Sequence, residues 1–331
     1  MKKTLTIILL AIFSVFAVTG CTVSSTINYD GRYWYKDSTA SSNIYEQIEY
    51  TVKVVSKTES NSIEIKNNEV SLVVDEGTFV ATLTKDGENY NYQTNLNLKG
   101  NYILGEQTMP VNDDVASKVV FKINNFKPIY SEKKSNSTTT LLTSNSAYSF
   151  VNFSYDYSIN YGEKNAETVY NSKINGEKTE TTTVKNTFKN YSDNAYIDNE
   201  LLFFMPRAFK IKDKESFSLA FTTIDVLTQK VHDMNYATLS QQNSTLDIKT
   251  FNFTYDNVIN GEKVEYAENK IQVVKVLLSI NDTFSGSTIE LYYAIDHQTD
   301  RHRLIKAYTP LNDEMGYLEY TIKSAVIDTN I

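Results

Sequence analysis

The chain of 331 residues has one cysteine, three histidines, four prolines, one tryptophan and eleven glycines. A lone cysteine excludes any disulfide within the chain and with it the disulfide-stapled small-domain classes, so packing alone must hold the fold. So few prolines and glycines exclude collagen-like and Pro/Gly-rich disordered architectures. Positive charge is in deficit, with 32 Lys and Arg against 40 Asp and Glu and a formal net charge of −8. That balance argues against nucleic acid as a partner, because phosphate binding needs clustered Lys and Arg. It argues equally against electrostatic docking on anionic lipid. Motifs of chemistry are missing too: there is no Gly-rich phosphate loop and no Gly-x-Ser-x-Gly elbow. The acidic run "DNAYIDNE" has no central glycine of the kind a calcium loop requires.

What the chain does have is 24 Tyr and 16 Phe. Aromatic and β-branched residues suit half-buried sheet surfaces and favour a β-rich fold. An AT-rich genome also enriches Tyr, Asn, Ile and Lys, so the alternation pattern has to carry the argument. "QIEYTVKVV" places Ile48, Tyr50, Val52 and Val54 on one strand face. "FVATLTKDGENYNYQT" reads as a hairpin turning at Asp86-Gly87, pairing Leu83 with Tyr90 and Ala81 with Tyr92. "KIQVVKVLLSI", residues 270–280, is nearly continuously apolar and predicts a central strand covered on both faces. "STIELYYAID", "HRLIKAYTP" and "GYLEYTIKSAV" complete a carboxy-terminal antiparallel meander, with Leu318, Tyr320 and Ile322 inward in the last. A weak repeat, "FSYDYSINYGEK" at 153–164 and "FTYDNVINGEK" at 253–263 with "INGEK" at 174–178, reads either as duplicated binding units or, the favoured reading, as strand-turn-strand grammar around Asn-Gly recurring by itself. One segment argues for helix: "SDNAYIDNELLFFMPRAF" offers Asp193 or Asp198 as a cap, five apolar residues, and Pro206 as a stop or kink.

The first residues differ from the rest. Lys2 and Lys3 precede an uncharged run from Thr4 to Gly20, the n-region and h-region of an export signal. Val18-Thr19-Gly20-Cys21 then resembles the lipobox of bacterial lipoproteins. The resemblance implies cleavage between Gly20 and Cys21, acylation of Cys21, and a membrane partner held through that lipid on the outer, extracytoplasmic side of the cell membrane. Two acyl chains anchor stably where one does so only marginally. Loss of Lys2 and Lys3 with the signal takes the charge from −8 to −10.

The expected organisation is therefore a signal peptide at 1–20 and a lipidated Cys21 with a polar tether to residue 28. An amino-terminal β region follows at 29–130, a Ser/Thr/Asn-rich loop or linker at 131–147, and a carboxy-terminal β domain at 148–331. The order of elements over about 198–325, from "ELLFFMPRAFKIKDKESFSLAF" to "GYLEYTIKSA", is similar to that of an uncharacterised bacterial envelope family whose members form LolA-like antiparallel half-barrels. That resemblance implies a concave apolar sheet able to hold a lipid or similar hydrophobe, and it brings no catalytic residues. The fold class expected is mainly β: an antiparallel curved sheet or half-barrel with one short hydrophobic helix, in one body or two β subdomains.

Candidate site residues are few. Tyr33, Trp34 and Tyr35 in "DGRYWYKD" are aromatics of the type that stack on ligands or lie at membrane interfaces, or that simply pack on a sheet. His297 and His302 flank a turn in "DHQTDRH" and form a weak metal candidate, while His232 stands apart. No cofactor is expected. The function these observations favour is a non-enzymatic lipoprotein that binds a hydrophobic or envelope-derived ligand. A structural or protein-interaction module of the envelope is the alternative, and an envelope hydrolase the third choice. Oligomeric state is not legible.

Overall fold

The structure, a computed structural model, describes residues 45–56, 70–122, 126–142, 148–188, 197–208, 218–226, 230–239, 241–242, 245–246, 248–251, 255–259, 262–266, 271–280, 287–294, 303–311 and 315–328. The first part of the chain forms β1 (Tyr45–Val55), β2 (Val70–Asp86), β3 (Asn89–Leu104), β4 (Gln107–Lys122), β5 (Pro128–Leu142), β6 (Tyr148–Tyr161), β7 (Asn165–Ile174) and β8 (Glu177–Thr187). Two short 3-10 turns follow, Asn199–Leu201 and Met205–Ala208. Then come β9 (Ser218–Asp225), β10 (Lys230–Leu239), β11 (Gln241–Gln242), β12 (Thr245–Leu246), β13 (Ile248–Phe251), β14 (Tyr255–Ile259) and β15 (Glu262–Tyr266). The last strands are β16 (Ile271–Ile280), β17 (Ser287–Ala294), β18 (Leu304–Pro310) and β19 (Tyr317–Asp328).

All but β11 and β12, which pair with each other, belong to one sheet of 17 strands. Neighbours pair antiparallel along β2 to β8 and again along β16 to β19. The two runs are joined by β1, which lies antiparallel to both β2 and β19. β10 and β13 flank β16, β9 flanks β10, and β14 adds a parallel pairing to β19. The sheet is open and is not closed into a barrel. This is the mainly antiparallel, curved architecture that the alternating sequence predicts.

Curvature follows from what the concave face encloses. The segment 197–208, which carries both 3-10 turns, touches strands far apart in the sheet. Phe204 packs on Tyr92 of β3 and Phe121 of β4, Phe203 packs on Phe79 of β2 and Tyr320 of β19, and the Tyr293 hydroxyl of β17 donates to the Phe203 carbonyl at 2.8 Å. One short segment reaches all of these only if the sheet wraps around it. Ile48, Tyr50 and Val52 of β1, and Leu318, Tyr320 and Ile322 of β19, point into this core as their alternation predicts. β16 is buried on both faces, since Val273, Val274, Lys275 and Val276 in succession are all at most 5% exposed. The curvature has a steric device in the β2 bulge between Val74 and Glu76, where Gly100 backs so closely onto the Val73 carbonyl that no Cβ fits.

Three expectations are corrected. The β2–β3 hairpin turns at Gly87-Glu88, so Leu83 pairs with Tyr92 and Ala81 with Thr94. Gly87 takes φ 57°, and a glycine with positive φ at the first central position suits a turn whose twist matches the strands. The shift is two residues, so every side chain keeps its expected face. Residues 131–142 of the polar stretch are the body of β5, paired with β6 throughout and with β4 as far as Asn136, and the sheet continues through the place where a linker was expected. The helix is replaced by the two 3-10 turns. Five consecutive apolar residues cannot share one face of an α-helix, and the tighter, broken turns bury Leu201, Leu202, Phe204 and Met205 in the core and leave Phe203 partly buried against it. The "INGEK" copy at 174–178 is a two-residue hairpin with positive φ at both Asn175 (50°) and Gly176 (84°), a local turn solution.

Candidate functional site

The segment 197–208 acts as a plug, and its local structure follows from its first residue. Asp198 is the cap: its Oδ1 accepts from the Glu200 backbone N–H at 2.9 Å, and its Oδ2 accepts from the Tyr161 hydroxyl at 2.6 Å. Burial pushes the Asp198 carboxyl above its usual range, and those two donors work against the shift. At the other end Arg207, with its side chain 4% exposed, donates through both terminal nitrogens to Glu46 of β1, at 2.5 and 2.9 Å. Its guanidinium also lies over the Phe204 ring, 5.2 Å from the centroid. Between these two fixings the plug holds its remaining side chains in place.

One face of the plug and the concave face of the sheet leave a cavity of about 370 Å³. Ligand sites occupy roughly 300–1,000 Å³, so this is room for a single small or slender molecule. The lining is chemically mixed: Phe79, Leu96, Leu202, Phe203, Ile280 and Ile289 are among its apolar residues, and Lys133, Tyr157, Asn199, Glu200, Thr223 and Asp225 among its polar ones.

An ion pair dominates the polar part of the lining. Lys133 Nζ of β5 donates to Glu200 Oε1 at 2.9 Å, and the Tyr157 hydroxyl of β6 donates to the same oxygen at 2.8 Å. The side chains are 21% and 13% exposed, so the pair lines the cavity and is mostly withdrawn from solvent. Burial by itself would raise the Glu200 carboxyl. The Lys133 ammonium and the hydroxyl donors outweigh it and hold the group below its usual range. For Lys133 burial pulls downward, but Glu200 and the oxygens of Tyr155 and Tyr320 hold the ammonium above its ordinary value. Burial and the neighbouring carboxylates push the Tyr157 hydroxyl up, so it stays a donor. Glu200 is thus kept ionised, which suits it to hold a charge in place and not to deliver a proton. Among the described residues no group of three or more His, Cys, Asp and Glu is placed to hold a metal ion.

The residues singled out from sequence are not the ones brought together here. Gly20, Cys21, Tyr33, Trp34, Tyr35, His297 and His302 lie outside the described residues, and of His232 only its backbone position on β10, opposite Thr223, is described. Sequence reasoning reached the plug through its apolar run and its Asp198 cap. It missed Lys133, which sits in a Ser/Thr/Asn/Lys stretch that looks like surface, and it missed the pairing with Glu200, 67 residues further along. The available signal was indirect: the alternate positions Ser131, Lys133 and Ser135 of β5, all polar, would have had to be assigned an inward face.

No model of a known protein family matches the chain, and no curated protein matches it. Among solved structures it is similar to a β-barrel-like protein of the domain of unknown function DUF1849 from Brucella abortus. The TM-score is 0.44 at 11% identity, covering 86% of this chain and 98% of that one. The chemistry of the cavity therefore rests on this chain's own residues.

Proposed function

We propose that this protein is a non-enzymatic binding protein that takes one amphiphilic molecule into the cavity between plug and sheet. The observation that carries the reading is the mixed lining of this cavity: aliphatic and aromatic side chains together with an ordered Lys133–Glu200–Tyr157 group. Apolar walls supply affinity by burying hydrocarbon at about 25 cal/mol per Å². Few, fixed polar groups set which end of the molecule enters where.

The test is direct binding of a neutral apolar fluorophore, N-phenyl-1-naphthylamine, to the chain from Cys21 to Ile331 produced without its leader. Saturable binding is expected. Leu202→Trp, which places an indole into the cavity from the plug, should weaken it at least tenfold while far-ultraviolet circular dichroism stays that of the parent. Equal binding by the parent and the variant would defeat the reading and favour a module that works through its outer surfaces.

The same proposal places the body outside the cytoplasm, tethered through lipid on Cys21. Metabolic labelling with an alkyne fatty acid should tag the intact protein and fail to tag Cys21→Ala. Absence of label on the parent chain would remove the tether from the proposal.

A further inference from the structure

From the way the charges around the cavity are already used, we infer that the amphiphile it takes carries an uncharged head with more than one hydroxyl on a single chain, as in a glycerol ether or monoester, and that anionic and cationic heads are both disfavoured. The inference rests on the amphiphile-binding reading above and adds the chemistry of the head group.

Three charged residues line the cavity among those described, Lys133, Glu200 and Asp225. Lys133 and Glu200 neutralise each other at 2.9 Å. The carboxylate of that pair also takes the Tyr157 hydroxyl at 2.8 Å and the Ser117 hydroxyl, and Ser117 is held in turn by Thr94 at 2.6 Å. Asp225 has a partner as well. A charged head of either sign therefore finds no uncompensated counter-charge, while it gives up its hydration on leaving water. Burying a charge without a partner costs far more than burying a hydroxyl that finds a hydrogen bond.

Hydroxyl groups meet a different lining. Tyr155 lines the cavity and its hydroxyl makes no hydrogen bond with a described residue, so it is available both to donate and to accept. Asn199 spends its amide nitrogen on the Ile224 carbonyl, which leaves its Oδ1 an unused acceptor among the described residues. The two groups flank the neutral pair. Tyr155 lies beside Tyr157 along β6, with ring planes 4° apart and centroids 6.5 Å apart, and Asn199 precedes Glu200 in the capped turn. A head with two hydroxyls can give one hydrogen to Asn199 and share another bond with Tyr155, and neither bond disturbs Lys133 or Glu200. Phe79, Leu96 and Phe203 then take the chain, and a volume of about 370 Å³ has room for one chain and not several.

The experiment compares four ten-carbon chains that differ at the head: 1-O-decylglycerol, decanol, decanoate and decyltrimethylammonium. Each is titrated, below its aggregation concentration and at about pH 8, where a carboxylate is ionised, against N-phenyl-1-naphthylamine bound to the Cys21–Ile331 chain. The glycerol ether is expected to bind at least tenfold more tightly than either charged chain, with decanol between; a purely apolar pocket would rank decanol first. Tyr155→Phe removes one hydroxyl and keeps the ring. It should weaken the glycerol ether at least threefold and leave the probe unchanged. Breaking the pair should admit charge: Glu200→Gln strengthens decanoate and Lys133→Met strengthens the cation, each at least tenfold. Decanol or a charged chain that binds the parent as tightly as the glycerol ether, or a glycerol ether indifferent to Tyr155→Phe, overturns the head-group inference and leaves amphiphile binding standing. So do charge variants that admit neither ion. If none of the four displaces the probe, both fall.

Discussion

Replacing Glu46 with alanine is expected to lower the free energy of unfolding by about 3–5 kcal/mol, the loss typical of leaving one member of a buried ion pair uncompensated. Both side chains of the Glu46–Arg207 pair are 4% exposed, so water cannot take over the role of the carboxylate. Arg207 is bounded by Phe204 on one side, and Tyr50 and Tyr92 are near enough for their hydroxyls to feel its charge. Equilibrium urea unfolding followed by circular dichroism measures the loss. The double variant Glu46→Leu with Arg207→Met should recover most of it, because a well-packed apolar pair removes the desolvation cost along with the attraction. A single variant that loses under about 1 kcal/mol, the range of exposed pairs, would show that solvent reaches the guanidinium. The functional consequence is separate from the stability one. Glu46 is on the first strand and Arg207 ends the plug, so the double variant tests whether the plug needs a directional tie to β1 or only a filled space.

Phe204→Ala is expected to cost about 3–5 kcal/mol through the cavity it leaves in the core. The ring is 1% exposed and meets Tyr92, Phe121 and Phe126 at centroid distances of 5.0, 5.5 and 6.0 Å. Those partners belong to β3, β4 and the connection after β4, so the void cannot be closed by shifting one strand. Phe203→Ala is the informative neighbour. Phe203 is half-buried and faces the ligand cavity, so its truncation should cost clearly less stability and should weaken probe binding more. Equal stability losses in the two variants would mean that the plug has no distinct core-facing and cavity-facing sides.

The legible parts of this fold are those governed by neighbours in sequence. Ile48, Tyr50 and Val52 alternate because a strand's side chains alternate, and Leu318, Tyr320 and Ile322 do the same. The Asp198 cap was visible because capping is a local bond to the next turn. The β2–β3 register was missed by two residues because Asp-Gly and Gly-Glu are both workable turn centres and both keep the same residues on the same face. β5 was hidden because its inward residues Ser131, Lys133 and Ser135 are polar, and only partners on β4, β6 and the plug make that face a wall. The cavity was illegible for the same reason. It is assembled from β2, β3, β4, β5, β6, the plug, β9, β16, β17 and β19, and no spacing along the chain records which of these face one another.

The seam between β1 and β19 has a consequence for how the protein is made. Tyr45 is matched with Asp328 and Val55 with Tyr317, so the earliest described strand is sealed by the last one. As the chain emerges, β2 to β8 can zip up hairpin by hairpin, while that flank of β1 waits for nearly three hundred residues more. Such distant pairings come late in folding. Until then a strand rich in Val, Ile and Tyr keeps an unsatisfied row of backbone donors and acceptors, the template on which misassembly begins. A chain cut short before Tyr317 leaves that flank of β1 without its partner, and with it the hazard of edge pairing.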